Sequence, residues 1–452
     1  MIHKQVINHR QIAWLVASVL LTGMLISFFN TLAKIAKMDA WFSQILPCCY
    51  AIAIAFALAE LTRAYPGKNM FEILFIVFGK WVGGLINFIL LLYIGITLTL
   101  DIKGACSFFH VALLPRTPLE IILIVFVLLM MYYGKTSLEV AARVNEMYFP
   151  AFFSLSILMY LLLSNEYSVE RLEPILSSSL SKIFVTNLLP LGIYGDIFLF
   201  GAFLHASTHP RLFFAAMKHG VLLVGFAATV LLLILLGVMG FTIASRLNFP
   251  LFILVQQIHV TDFLDRVEIV LFSLWFPAFT IKVIVGYLAF LVCLGSFGGQ
   301  QHYAAYNLPA GWLLAAASLF LYQRVVDMSD FLSFTMPFIA VAIQVPLLTI
   351  LYIKARVNRK METQVSIPEG TRLYRFYRQS VWIGALSLLG CIVSIVSGVL
   401  FMNSTEMGGV VTSISFSFFL LLALLASYAE MQALNHGKQK LVKNKESGTF
   451  RQ

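Results

Sequence analysis

Twelve apolar runs, most of them about as long as a helix that crosses a bilayer, follow one another along this chain with only short polar connections between them. Against a spanning length of about 20 residues, they fall near 11–32, 40–61, 82–112, 118–134, 147–164, 183–205, 218–241, 268–296, 308–323, 331–353, 379–402 and 409–431. In hydrocarbon each backbone N–H and C=O must find its partner inside the protein, so such runs fold as helices. The predicted fold class is an all-α polytopic membrane protein of about twelve transmembrane helices. Composition agrees, with 60% hydrophobic and 12% charged residues against about 25% charged in soluble domains. The third and eighth runs are long enough to tilt or to project past the membrane. Two shorter stretches, NMFEILFIVFGKW (69–81) and FPLFILVQQIHVTDFL (249–264), read as segments lying at the interface.

The same runs exclude several function classes. No connection is long enough for a catalytic domain, and the largest, 354–378, is basic and polar. The five cysteines, Cys48, Cys49, Cys106, Cys293 and Cys391, lie in or beside apolar segments without metal-ligand spacing and read as small core residues. Gly134-Lys135-Thr136 echoes the end of a phosphate loop, but Leu129 stands where the leading glycine belongs. His205 and His209, with no carboxylate nearby in sequence, read as interfacial surface rather than a metal or proton relay. No cofactor, metal or catalytic residue is called for. The start, MIHKQVINHRQIAWLVASVLLTGM, has charge before an apolar run but reads as a retained first span rather than a cleaved signal.

The net charge of +10 does not point to nucleic acid, because the excess is concentrated beside membrane spans. One set of alternate connections carries seven lysines and arginines between 354 and 378, five after 437, and nine more from Lys4 to Lys218; the other set carries eight. That asymmetry puts both termini in the cytoplasm.

The sixth run, IFVTNLLPLGIYGDIFLFGAFLH (183–205), is interrupted by Pro190, Gly192, Gly195 and Asp196. Proline removes a backbone donor and glycine costs about 1 kcal/mol against alanine, so the helix is weakest at 190–195. An ionisable group at membrane depth marks a functional site, and broken spans are where transporters hold substrate. The competing reading is a small-residue packing face, since Gly192, Gly195 and Asp196 share helical spacing.

Three more ionisable residues fall inside spans. Asp101 and Lys103, in LTLDIKGACSFF, are two apart and so point about 200° away from each other. Each therefore needs its own partner or water, or snorkels to the interface. Lys282, in SLWFPAFTIKVIVGYLAF, lies near the middle of its span, about 20 Å from either boundary at helical rise and too deep to snorkel. Pro277 loosens the helix one turn earlier. Lys282 either takes part in a ligand site or forms a buried ion pair with Asp196 that serves assembly alone.

The sequence resembles the spore germination permease family, the membrane-embedded B subunits of germinant receptors within the amino acid, polyamine and organocation transporter superfamily. The likeness is carried by DAWFSQIL (39–46), YPGKNMFEI (65–73), FGKWVG (78–83), LPRTPLEIIL (114–123), EVAARVNEMYFP (139–150), RLEPIL (171–176), FPLFILVQQIHVTDFLDRVE (249–268), the tract from Leu274 to Gly295, and LPAGW (308–312). Their order and spacing cover about residues 10–360. A lysine such as Lys282 in the eighth span and an acidic-x-basic pair such as Asp101 and Lys103 look typical of that family.

The resemblance implies a LeuT-like fold in which spans one to five and six to ten form an inverted repeat, with interrupted spans one and six enclosing the ligand. Span one offers only Gly23 as a breaker, followed by Phe28 and Phe29 where family members often have proline. In span six Asp196 stands near where many members carry glutamate. Residues 1–360 are expected to form the ten-span core, and 361–452 a basic linker, two added helices and a basic tail.

The ligand-binding candidates are Gly23, Asp101, Pro190, Gly192, Tyr194, Gly195, Asp196 and Lys282. The implied function is recognition of a small polar germinant such as an amino acid, with receptor A and C subunits as partners in the inner membrane of a bacterial spore. A proton- or sodium-coupled amino acid permease needs the same pocket and stays open as an alternative, as does a scaffold that binds nothing.

Overall fold

The computed structural model of the chain describes residues 7–206, 209–258, 267–298, 303–321, 324–358, 371–402 and 406–446. Residues 359–370 of the basic connection, 259–266 of the second interfacial segment and the tail beyond 446 lie outside the described residues. The described residues contain helices and no strand.

Each predicted span has a helix in its place. The first is divided into α1 (His9–Ser27) and α2 (Phe29–Ala36), bent by 65°. Then come α3 (Ile45–Ala64), α4 (Met70–Ala112), α5 (Leu119–Tyr133) and α6 (Leu138–Leu162). The sixth span is built from α7 (Leu180–Leu188), α8 (Leu191–Tyr194) and a 3-10 stretch, Gly195–Ala206. After it follow α9 (Pro210–Ala244), α10 (Pro250–Gln256), α11 (Val267–Phe297), α12 (Asn307–Phe320), α13 (Val325–Asp330) and α14 (Met336–Val357). The last two are α15 (Arg372–Ser397) and α16 (Glu406–Glu446).

Among the described residues eight spans are long and apolar enough on their own, and ten if the bent pairs α1–α2 and α5–α6 each count once. The α5–α6 pair turns through 119°, so the two helices occupy the places of two predicted spans. α5 is cut to 15 residues by Pro118 at its N-cap and Gly134 at its C-cap, and α12 has only 14.

The long third span and the interfacial segment before it are one helix with a bend. α4 kinks at Gly79, whose φ of 77° is a conformation that side chains disfavour. The limb before the kink, started by Asn69 accepting the Glu72 amide at 2.9 Å, is the amphipathic stretch. Its counterpart is α10, which follows a second such kink at Gly240 (φ 70°) near the end of α9.

Burial separates the inner helices from the outer ones. The apolar window of α11 is 94% buried and that of the broken sixth span 83%, against 33% for α15 and 39% for α16. The centre is thus α1, α11 and the sixth span, with α3, α4, α9 and α14 around them. α15 and α16 pack along one another, and α16 lies against α9. At one end Phe416 of α16 meets Trp41 and Phe42 edge-on, with ring centres 5.5 and 5.0 Å away. At the other, Glu430 accepts a hydrogen bond from Lys218 at 2.8 Å in a buried ion pair.

The connections sort between two ends of the bundle as the alternation of spans requires. Arg10 pairs with Glu146, and Asn358 donates to the Tyr65 hydroxyl at 3.0 Å. At the opposite end buried Asp39 accepts the amides of Leu176 and Ser178 at 2.6 and 2.8 Å, tying the connection after span one to that before span six.

Candidate ligand-binding site

The break in span six has a physical origin in each of its residues. Pro190 is the N-cap of α8 and its carbonyl accepts the Tyr194 amide at 2.9 Å, so a single helical turn forms and then gives way to the 3-10 stretch. Gly192 lies against the start of α14: a Cβ on it would stand 3.1 Å from the nitrogen of Pro337. The Gly195 carbonyl accepts from Gln344 Nε2 at 3.1 Å. Gln344, fully buried in α14, also donates to the Tyr93 hydroxyl at 3.0 Å and accepts from Tyr50 at 2.7 Å. Its amide thereby ties the break in span six to α3 and α4 as well as to α14.

Asp196 is the second residue of the 3-10 stretch and points at α11. Lys282 Nζ lies 3.1 Å from Asp196 Oδ2 and donates to Asp101 Oδ1 of α4 at 2.7 Å. The sequence suggested a pair; the structure forms a triad, one ammonium between two carboxylates drawn from spans three, six and eight. Lys103, also buried, points off another face of α4 and takes no part. The Lys282 and Asp196 side chains are each 3% exposed and Asp101 13%. Charges this deep are costly unless paired, and here two acids share one base, which leaves one negative charge in excess when all three are ionised. Pro277 lies within α11, and the Ala278 carbonyl one residue on accepts the Ser18 hydroxyl at 3.1 Å.

A cavity opens on this triad. Gly23, Asp101, Gly192, Asp196 and Lys282 line it, together with Thr97, Leu100, Ile193, Leu332 and Met336. Its empty space is about 290 Å³, but the centre of a water-sized sphere fits within only about 10 Å³ of it, room for about one water. This conformation is closed to anything the size of an amino acid. Leu332, in a π-helical turn, and Met336 at the start of α14 form the wall opposite the break.

Five of the eight sequence candidates meet at this cavity. The other three stand behind it. Pro190 shapes the turn, Gly195 is capped by Gln344, and the Tyr194 hydroxyl donates to Gln44 Oε1 at 3.1 Å in the core. Sequence reasoning missed Thr97, Leu332, Met336 and Gln344. A glutamine in the apolar run of span ten, near Pro346, was the available signal for the last.

A larger apolar pocket, with about 620 Å³ of empty space, mouth included, lies among Leu21, Phe152, Phe226, Phe272 and Trp275. Its polar groups are already engaged: Ser156 donates to the Phe152 carbonyl at 2.8 Å and the Trp275 indole to the Thr22 carbonyl at 3.3 Å. It offers nothing to orient a polar ligand. Among the described residues no group of three or more His, Cys, Asp or Glu is placed to hold a metal, and His205 is exposed.

A bent first span and a broken sixth around a closed, charged cavity, walled by spans three, eight and ten, define a polytopic membrane protein with a LeuT-like fold. The chain belongs to the spore germination protein family, whose sequence model, described as "Spore germination protein", matches residues 6–297. It is similar to the putative spore germination protein YfkT of Bacillus subtilis (strain 168), with 23% identity over 324 residues, 71% of this chain and 88% of that one. It is also similar to spore germination protein B2 of the same organism, with 22% identity over 330 residues, 70% of this chain and 86% of that one. Among solved structures it resembles Mhp1, a nucleobase-cation-symport-1 family transporter in a closed conformation with bromovinylhydantoin bound. The TM-score is 0.52 at 11% identity, over 97% of this chain and 94% of Mhp1. That likeness is one of fold.

Proposed function

We propose that this protein is the ligand-recognising, B-type subunit of a spore germination receptor, taking a small polar nutrient such as an amino acid into the cavity between spans one, three, six and eight. The observation that carries the reading is the Asp101–Lys282–Asp196 triad, set beside the break in span six within a family of germination proteins. When all three groups are ionised, its excess negative charge suits a ligand ammonium. The ligand signal would pass to receptor A and C subunits in the inner membrane of the spore, with both termini of this chain in the cytoplasm.

The test is a pair of measurements on one variant. Losing a direct polar contact costs about 1 to 3 kcal/mol, so Asp196→Ala should weaken nutrient binding roughly ten- to a hundredfold. Spores carrying it should need correspondingly more nutrient to germinate, while the purified wild-type protein in liposomes binds nutrient without concentrating it. A secondary permease is the rival, favoured by the resemblance of the fold to a transporter. Concentrative uptake by the isolated protein, with normal germination of Asp196→Ala spores, would establish the rival instead.

A further inference from the structure

At the end of the bundle where most lysines and arginines gather, the ten-span core and the two C-terminal helices line a third cavity. Its empty space, mouth included, is about 970 Å³, and five helices supply its wall. The last turns of α3 and α14 bring Arg63 and Arg356, the first turns of α9 bring Arg211 and Lys218, and α16 brings Glu430. With Glu60, the wall carries four cations and two carboxylates.

Two of these ion pairs are defined. Glu60 accepts from Arg63 at 2.6 Å, and Glu430 from Lys218 at 2.8 Å. The cations also crowd the N-terminus of α9, where Pro210 is the first residue and the helix dipole adds positive potential. Four of the seven remaining wall residues are aromatic: Phe56, Phe214, Tyr352 and Tyr377. Phe56 is 43% exposed, and its ring meets those of Phe214 and Tyr352 at 5.7 and 5.8 Å. A cavity with exposed arginines beside partly exposed aromatic rings matches the division within a phospholipid, whose anionic phosphate adjoins an apolar body.

We propose that this cavity binds a phosphate-bearing anion that bridges the transporter-like core to the α15–α16 pair. A lipid phosphodiester and a soluble phosphate share the chemistry the wall recognises, and the aromatic flank favours the lipid. The site is separate from the nutrient cavity, and α15 and α16 lie beyond the residues that the family model matches.

The experiment uses the full-length protein in nanodiscs of phosphatidylcholine, with and without one fifth phosphatidylglycerol, and titrates inorganic phosphate into the neutral discs against chloride at constant ionic strength. Thermal unfolding and lipid retention by native mass spectrometry are read for wild type and for Arg211→Gln/Arg356→Gln. Both arginines are exposed, and each protein's response is read against its own unfolding in neutral discs; Arg356→Gln alone serves if the pair impairs folding. At about 1 kcal/mol for each cation removed, apparent affinity for the anion should fall roughly thirtyfold. Stabilisation of wild type by phosphatidylglycerol, lost in the variant, supports the lipid as source. Stabilisation by phosphate alone, likewise lost, supports a soluble anion. No response in wild type, or an equal response in the variant, overturns the proposal.

Discussion

Gly23 stands so close to Lys282 that a Cβ on the glycine would lie 2.5 Å from the ammonium nitrogen. The absence of a side chain on span one is what lets the ammonium rest between Asp101 and Asp196. Gly23→Ala should therefore leave the fold intact but push Lys282 off at least one carboxylate. Nutrient sensitivity should fall by roughly tenfold or more, since a charge-assisted hydrogen bond contributes about 1.5 to 3 kcal/mol. Dose–response germination curves of variant spores, with protein amounts matched by immunoblot, check this; an unshifted curve refutes it.

In its place Lys282 does what a bound cation would do, holding two acids together across three spans. Ligand binding and thermal stability of the wild type should accordingly be independent of sodium at fixed ionic strength. Lys282→Ala leaves two buried carboxylates facing one cavity and should cost about 3 to 5 kcal/mol, part of which sodium should restore. Unfolding curves of purified protein in sodium and in choline chloride provide the check. A sodium requirement in the wild type contradicts the idea, as does a variant indifferent to sodium.

The Lys218–Glu430 pair fastens the C-terminal helices to α9. Removing one partner strands a buried charge, so Glu430→Ala should destabilise by about 3 to 5 kcal/mol, whereas Lys218→Met combined with Glu430→Leu should recover most of that loss. A double-mutant cycle on unfolding free energy, with Lys218→Met and Glu430→Leu made singly and together, measures the coupling. If the two single changes add within about 0.5 kcal/mol, the pair is not coupled in the folded protein.

Orientation is testable without ligand. With both termini inside, cysteines introduced at Ser168 and Glu406 should react with an impermeant thiol reagent from outside, and those at Ser366 and Ser447 only after permeabilisation. Labelling of Ser447→Cys in intact cells would reverse the assignment.

The spans were legible because hydrophobic runs of bilayer length admit few other folds, and the break at 190–195 because proline and glycine mark it locally. The bend between α1 and α2 was less visible, since it falls at Phe28, a residue without breaker chemistry. The triad was half legible. Depth in a span singled out Asp196, Lys282 and Asp101 one by one, but helix periodicity relates only residues on the same helix. Which acid meets the lysine depends on how three helices rotate against each other. Gln344 and Met336 stayed hidden for the same reason, being set by the way α14 leans on Gly192 and Gly195.

The closed cavity at the Asp101–Lys282–Asp196 triad bears on how sensitive such a protein would be to a ligand taken up there. If entry requires a rarer, opened arrangement of the helices, the observed dissociation constant is the intrinsic one divided by the fraction of molecules that are open. A tenfold change in that fraction needs only about 1.4 kcal/mol, the scale of one packing change where α14 meets span six. The nutrient level to which a spore responds can then drift through substitutions that never touch the ligand, while the chemistry of recognition stays as it was.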